Sequence, residues 1–103
     1  MDGIVFKTDG TKEEFEWQEP TLDQLQGFVG GFIELVYVRY EGEEREAYIN
    51  EEGKLDGLPV NGLATLLYNF VDAPACQVPR FPGAQIDPIM GNMVVVLNPL
   101  TED

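Results

Sequence analysis

Two segments of the sequence would carry apolar side chains on both faces if they were strands, and they constrain the fold more than any other feature. Residues 32–40 read Phe-Ile-Glu-Leu-Val-Tyr-Val-Arg-Tyr, and residues 92–97 read Asn-Met-Val-Val-Val-Leu. Such β-branched and aromatic residues favour strands, and apolar side chains on both faces indicate a strand inside a sheet. We therefore expect both segments to be central strands.

The amino-terminal segment is predicted to form a β-hairpin. Residues 3–8 and 11–17 flank Asp9-Gly10, a dipeptide that suits a tight turn because both residues tolerate positive φ. We expect one shared buried face on this hairpin, formed by Ile4, Phe6, Phe15 and Trp17.

Two helices are predicted between the strands. Thr21 and Gln24 have the spacing of a capping box, and Gly30 is suited to end the helix that begins there. A second helix is expected to follow Asn61 as its N-cap. The apolar residues of this second helix recur at the spacing of one amphipathic face, at Leu63, Leu66, Leu67 and Phe70.

The predicted elements follow one another in the order ββαββαβ, which indicates an α+β fold. Residues 45–50 return as a partner strand for residues 32–40, and residues 72–88, with four prolines, are expected to form an irregular loop. A chain of 103 residues fits one domain. We predict a single domain over residues 1–103, with both helices on one face of a mainly antiparallel sheet.

The formal net charge of −13, from 19 acidic and six basic residues, disfavours ordinary binding of nucleic acid. Such a field repels nucleic-acid backbones and anionic membranes, and it attracts basic protein surfaces. The chain has no histidine and a single cysteine, Cys76, so the commonest general base, an internal disulfide and a cysteine zinc site are excluded. We predict a protein that is not an enzyme, with no catalytic residue, cofactor or metal, and a structural role for Cys76.

The distribution of apolar residues predicts a cytoplasmic protein. No segment approaches the roughly 20 apolar residues that cross a membrane, and the first residues, Met1 to Gly3, lack the features of a signal peptide. The hydrophobic fraction of 44% is too high for a disordered acidic tail. We expect a folded monomer or small homo-oligomer with no membrane contact.

An acidic cluster is predicted on the second hairpin and its exit. Its members are Glu41, Glu43, Glu44, Glu46, Glu51 and Glu52. As a functional surface, these carboxylates would imitate a row of phosphates and occupy the basic groove of a partner protein. As a structural feature, they would be a solvated hairpin that discourages edge-to-edge aggregation.

Three further motifs form a more specific pattern. They are V-G-G-x-I-E at residues 29–34, N-E-E-G-K-L-x-G-L-P-x-N-x-x-A-T at residues 50–65 and D-x-I-x-G-N at residues 87–92. Together they resemble a small domain found in phages, plasmids and their hosts, the domain-of-unknown-function family 3846, over about residues 26–97. The resemblance implies a mobile-element accessory protein and supplies no mechanism.

These motif residues allow two interpretations. They could fix a turn, a helix start and a strand entrance for structural reasons. Alternatively, they could converge on a pocket in which Lys54 and the amides at the start of the second helix hold an anion such as a nucleotide phosphate. The candidate pocket residues are Asn50, Lys54, Asn61, Thr65, Asp87 and Asn92.

Three functions therefore stay open. The charge and the resemblance favour a phage or mobile-element protein that inhibits a host protein with a basic surface, as a nucleic-acid mimic would in counter-defence. A nucleotide-binding module is the alternative from another class. An acidic housekeeping domain adapted to high salt would need no partner, and its carboxylates would be spread evenly over the surface.

Overall fold

Strands and helices alternate in a computed structural model of the chain, which describes residues 1–71, 78–83 and 85–100. The helices are α1 (Thr21–Val29) and α2 (Gly62–Asn69). The strands are β1 (Gly3–Phe6), β2 (Lys12–Phe15), β3 (Ile33–Tyr40), β4 (Glu43–Asn50), β5 (Phe70–Val71), β6 (Val78–Pro79) and β7 (Met93–Val96). An antiparallel five-stranded sheet has the order β2-β1-β7-β4-β3, and β5 pairs with β6. The predicted α+β class and the order ββαββαβ are confirmed.

Part of the predicted proline-rich loop contains the short strand β6. The role predicted for Cys76 lies outside the described residues, as do residues 72–77 and 84 of that loop. Within the part of the chain that the structure describes, neither helix is long and apolar enough to cross a membrane.

The two apolar strands differ in their position in the sheet. β7 is central, as predicted, because it pairs with β1 on one side and β4 on the other. The prediction that β3 is central was wrong, since β3 pairs with β4 and forms an edge. Val36 and Val38 are buried on one face of β3, but Leu35 and Tyr37 on the other face are exposed. The strand β3 therefore has apolar side chains on a covered face and also on a face that is open to solvent.

The helices lie on opposite faces of the sheet, so the prediction of one shared face was wrong. Successive side chains of a strand point to opposite faces. On one side, Leu25 and Val29 of α1 pack with Val5 and Val94. The residues packed on the α2 side are Ile4, Phe6, Ala47, Ala64, Leu67, Met93 and Val95. The uniformly apolar β7 is explained by this arrangement because each of its faces contacts a different helix layer.

The first hairpin has a longer connection than the predicted tight turn. Residues 7–11 join the strands, and the Lys7 amide donates to the Thr11 carbonyl (2.9 Å). The resulting register pairs Gly3 with Phe15, which places Phe15 in the α1 cluster with Trp17 packed beside it. The predicted shared face was therefore wrong, since Ile4 and Phe6 belong to the α2 cluster.

The ends of α1 follow the sequence prediction only in part. Pro20 occupies the N-cap position without a side-chain bond, so the predicted capping box between Thr21 and Gln24 is absent. The Gln24 side chain instead binds the segment after β2. Gly30 ends the helix in the left-handed conformation (φ 80°), as predicted.

Candidate protein-binding site

The motif residue Asn61 is the centre of a buried hydrogen-bonded network. It is 1% exposed. Its Nδ2 group donates to the carbonyls of Phe6 (2.8 Å) and Gly91 (3.1 Å), and its Oδ1 atom accepts from the Ala64 amide (3.1 Å). The predicted N-cap of α2 is therefore confirmed, and the same side chain also joins β1 to the segment that enters β7.

Thr65 and Asn69 continue this network along α2. The Thr65 hydroxyl donates to the Asn61 carbonyl (2.7 Å) and accepts from the Ile89 amide (2.9 Å). The Asn69 side chain binds both the amide and the carbonyl of Asp87, each at 2.8 Å. Asn69 was not among the predicted site residues, and its position one helical turn after Thr65 is the sequence signal that could have identified it.

Asn50 and Asn92 hold the carboxyl end of α1. The last carbonyls of a helix have no partner within the helix. Asn50 Nδ2 donates to the Val29 carbonyl (3.1 Å), and Asn92 Nδ2 donates to the Phe28 carbonyl (3.0 Å). Asn50 Oδ1 also accepts from the Glu52 amide (2.8 Å) and so fixes the turn after β4. Both asparagines therefore satisfy backbone groups.

The candidate pocket residues do not converge on one cavity. Asn50, Lys54 and Asp87 line a cleft of about 120 Å³. The residues outside its lining are Asn61, Thr65 and Asn92.

The charge of this cleft is unfavourable for a phosphate. The Lys54 ammonium binds the Asp87 carboxylate, and Glu34 and Glu51 line the same cleft. Three carboxylates therefore line the cleft with one ammonium group, so the local charge repels an anion. Among the described residues, no group of three or more acidic or cysteine side chains is arranged to hold a metal ion. The geometry favours the structural interpretation of the motif residues.

The predicted acidic cluster is divided between the two ends of β4. The carboxylates near the β3–β4 turn belong to Glu41, Glu43, Glu44 and Glu46. Glu51 and Glu52 follow the other end of the strand, roughly 25 Å from Glu43 at about 3.3 Å per residue. The six residues therefore cannot form one compact patch.

Two glutamates of the acidic cluster, Glu44 and Glu46, point to the same face of the sheet. Glu44 and Glu46 lie on the α1 side of the sheet, because they alternate with Ala47 of the α2 cluster and share the side of Tyr48. The β3 side chain opposite Glu46 is Tyr37.

The outer part of this sheet surface is not covered by α1. Leu35 and Tyr37 are 44% and 48% exposed there. Tyr48, which lies opposite Leu35, is packed against the α1 cluster. The surface that α1 covers therefore ends at Tyr48. We call the open part the hairpin face, which consists of Leu35, Tyr37, Arg39, Glu44 and Glu46.

Ion pairs engage some of the acidic side chains beside the hairpin face. Glu43 binds Arg45 (2.9 Å), and Glu44 binds Arg80 (2.8 Å). The Arg80 guanidinium also donates to the Tyr37 carbonyl, so it covers part of the outer backbone edge of β3. The contact uses only the backbone carbonyl of Tyr37, and the residue remains half-exposed.

The carboxylates of the hairpin affect nearby tyrosines. Burial raises the pKa of Tyr40, and the charge of Glu41 raises it further. Burial also raises the pKa of Tyr48, with a further contribution from Glu46. Both shifts have the direction expected from a negative potential, because ionised tyrosine is disfavoured near a carboxylate.

Comparison with known proteins identifies a family. The model of a family described as "Domain of unknown function (DUF3846)" matches residues 1–103. The comparisons with curated proteins and with solved structures give no match.

Proposed function

We propose that this chain, which belongs to the DUF3846 family, acts without catalysis by binding a basic surface of another protein through its hairpin face. The observation that carries the proposal is the pair of half-exposed apolar side chains, Leu35 and Tyr37, beside the carboxylate of Glu46 and the ion pair of Glu44 with Arg80. An exposed apolar patch with a polar rim is typical of a protein-binding surface.

The charge of the chain supports a basic partner. A net charge of −13 would accelerate association with a positive surface and would select against acidic partners. Positive grooves of this kind are common in proteins that bind nucleic acids. We therefore propose that the chain is a cytoplasmic accessory protein of a phage or mobile element, and that it inhibits a host nucleic-acid-binding protein by occupying its groove.

Replacing three glutamates near the turn by glutamine is expected to weaken partner binding about tenfold at low salt and to reduce its salt dependence. The variant E41Q/E43Q/E46Q retains the ion pair between Glu44 and Arg80, which covers the edge of β3. The effect follows from the loss of long-range attraction between opposite charges. The measurement is titration of the purified chain against the partner, after capture from a bacterial lysate, at low and high salt.

A matched control separates location from total charge. The variant E51Q/E52Q/D56N makes the same change in net charge with exposed residues that follow the other end of β4. Equal weakening by both variants would contradict a hairpin site and would favour the high-salt interpretation, in which only the overall charge matters. Failure of the chain to displace DNA or RNA from the captured partner would contradict the mimicry mechanism.

Replacing Tyr37 by alanine is expected to weaken binding about 30-fold, equivalent to about 2 kcal/mol, if this ring is the central apolar contact. The side chain is half-exposed, so its removal should change the free energy of unfolding little. Leu55, which is 87% exposed and lies outside the hairpin face, provides the control L55A. Full affinity of the Y37A variant would exclude the hairpin face as the binding site.

A further inference from the structure

The edge of the sheet at β2 has backbone groups that point away from the rest of the sheet. The Lys7 amide donates to the Thr11 carbonyl, and the strand register continues this pairing through Val5 and Glu13. Antiparallel pairs alternate between bonded and non-bonded residues. The amides and carbonyls of Lys12 and Glu14 are therefore directed outward, where no described residue hydrogen-bonds to them.

The continuation of this edge already binds an amide group in the manner of an added strand. Gln24 Nε2 donates to the Glu16 carbonyl (2.8 Å), and Gln24 Oε1 accepts from the Gln18 amide (3.0 Å). A neighbouring peptide backbone would make the same pair of bonds, one to a carbonyl and one to an amide two residues later. The Gln24 side chain thus extends the outward row of Lys12 and Glu14 beyond Phe15, the last residue of β2.

A groove of about 610 Å³ runs beside this edge. Its apolar lining comes from Met1, Phe15 and Phe28, where the two phenylalanine rings pack with centroids 5.1 Å apart. Glu13, Glu14 and Glu16 also line the groove, and strand alternation places the Glu14 side chain on the opposite face of β2 from Phe15. An apolar groove, acidic side chains and outward backbone groups therefore occur together at this edge.

We propose that the β2 edge binds an extended, basic segment of a partner protein by adding it to the sheet as a sixth strand. Backbone bonds to Lys12 and Glu14 would supply the register, and alternate side chains of the added segment would enter the groove. The carboxylates select lysine or arginine in the segment through charge complementarity. The opposite edge is less suited to this role because Arg80 occupies the Tyr37 carbonyl. This site goes beyond the proposed function, because it uses the other edge of the sheet.

The test uses an acetylated and amidated peptide, Lys-Val-Lys-Val-Lys-Val-Lys, titrated into the isotopically labelled chain. Binding should shift the amide signals of Lys12 and Glu14 and slow their hydrogen exchange. A peptide of the same sequence with every backbone nitrogen methylated keeps the charge and removes the donors, and it should bind at least about fivefold more weakly, the equivalent of one hydrogen bond. Equal binding of both peptides, or a lack of protection at Lys12 and Glu14, would overturn the proposal.

Variants at one position separate backbone pairing from charge. Glu14→Pro removes the outward amide but no bond to β1, and proline is tolerated on such an edge; it should weaken peptide binding about fivefold. Glu14→Gln keeps the amide and should lose about twofold or less. A larger effect of E14Q than of E14P would overturn strand addition.

The variant E41Q/E43Q/E46Q tests the location of the site, and it should bind the peptide nearly as well as the unmodified chain. Amide signals that shift at that hairpin instead of at β2 would place the peptide on the hairpin face and overturn this site.

Discussion

Replacing Asn61 by alanine is expected to lower the free energy of unfolding by about 2 to 4 kcal/mol. The side chain is 1% exposed and bonds to the carbonyls of Phe6 and Gly91 and to the amide of Ala64. Loss of an N-cap costs about 1 kcal/mol, and a buried polar group left without its partner costs about 1 to 3 kcal/mol more. Urea unfolding followed by circular dichroism measures the change.

Two further variants show how much of this loss of stability comes from the buried hydrogen bonds of Asn61. Asn61→Ser keeps an N-cap acceptor but cannot reach both carbonyls, so it should recover about 1 kcal/mol relative to alanine. Asn98→Ala removes an exposed side-chain bond to Asp2 and should cost less than about 1 kcal/mol. An N61A variant as stable as N98A would mean that the network around Asn61 does not hold α2 to the sheet.

Features set by local chemistry could be predicted from the sequence. Gly30 ends α1 and Asn61 caps α2, and in each case the decisive bond joins residues within one helical turn. The central position of β7 was also predictable, because a strand with buried side chains throughout needs covering on both faces. The same reasoning could have placed the helices on opposite faces.

Features set by distant contacts could not be predicted in this way. Asn50 and Asn92 bind carbonyls of α1 that are 21 and 64 residues away in sequence. The motif alone fits a ligand pocket equally well, since an asparagine amide binds a backbone carbonyl or a ligand by the same chemistry. Strand order decides which role is possible, and strand order is not a local property.

The misassignment of β3 has a functional counterpart. Its apolar residues Leu35 and Tyr37 indicated a buried strand, but the sheet ends at β3 and α1 does not reach them. A sequence contains no signal that separates an apolar face covered by its own fold from one available to another protein. The same two residues therefore account for the error about the fold and for the proposed binding site.

Replacing Gly53 by alanine is expected to destabilise the chain by about 2 to 3 kcal/mol or more. An added Cβ would lie 2.5 Å from the Met90 carbonyl oxygen, which is backbone and cannot rotate away. Relief of the clash requires movement of the turn after β4 or of the segment around Met90, and overpacking of this kind costs about 1 to 3 kcal/mol. That segment also bridges to Val60 and receives the Asn61 amide at Ile89, so the movement would disturb the support of α2.

Gly27 supplies the matched control for this prediction. It is exposed on α1, an added Cβ would meet nothing within 4 Å, and alanine favours a helix interior over glycine by about 1 kcal/mol. The same change from glycine to alanine should therefore raise stability at residue 27 and lower it at residue 53. Equal and small effects in thermal unfolding would show that the backbone of Gly53 is not held against Met90. The close packing of the two motif segments at Gly53 would then have to be abandoned.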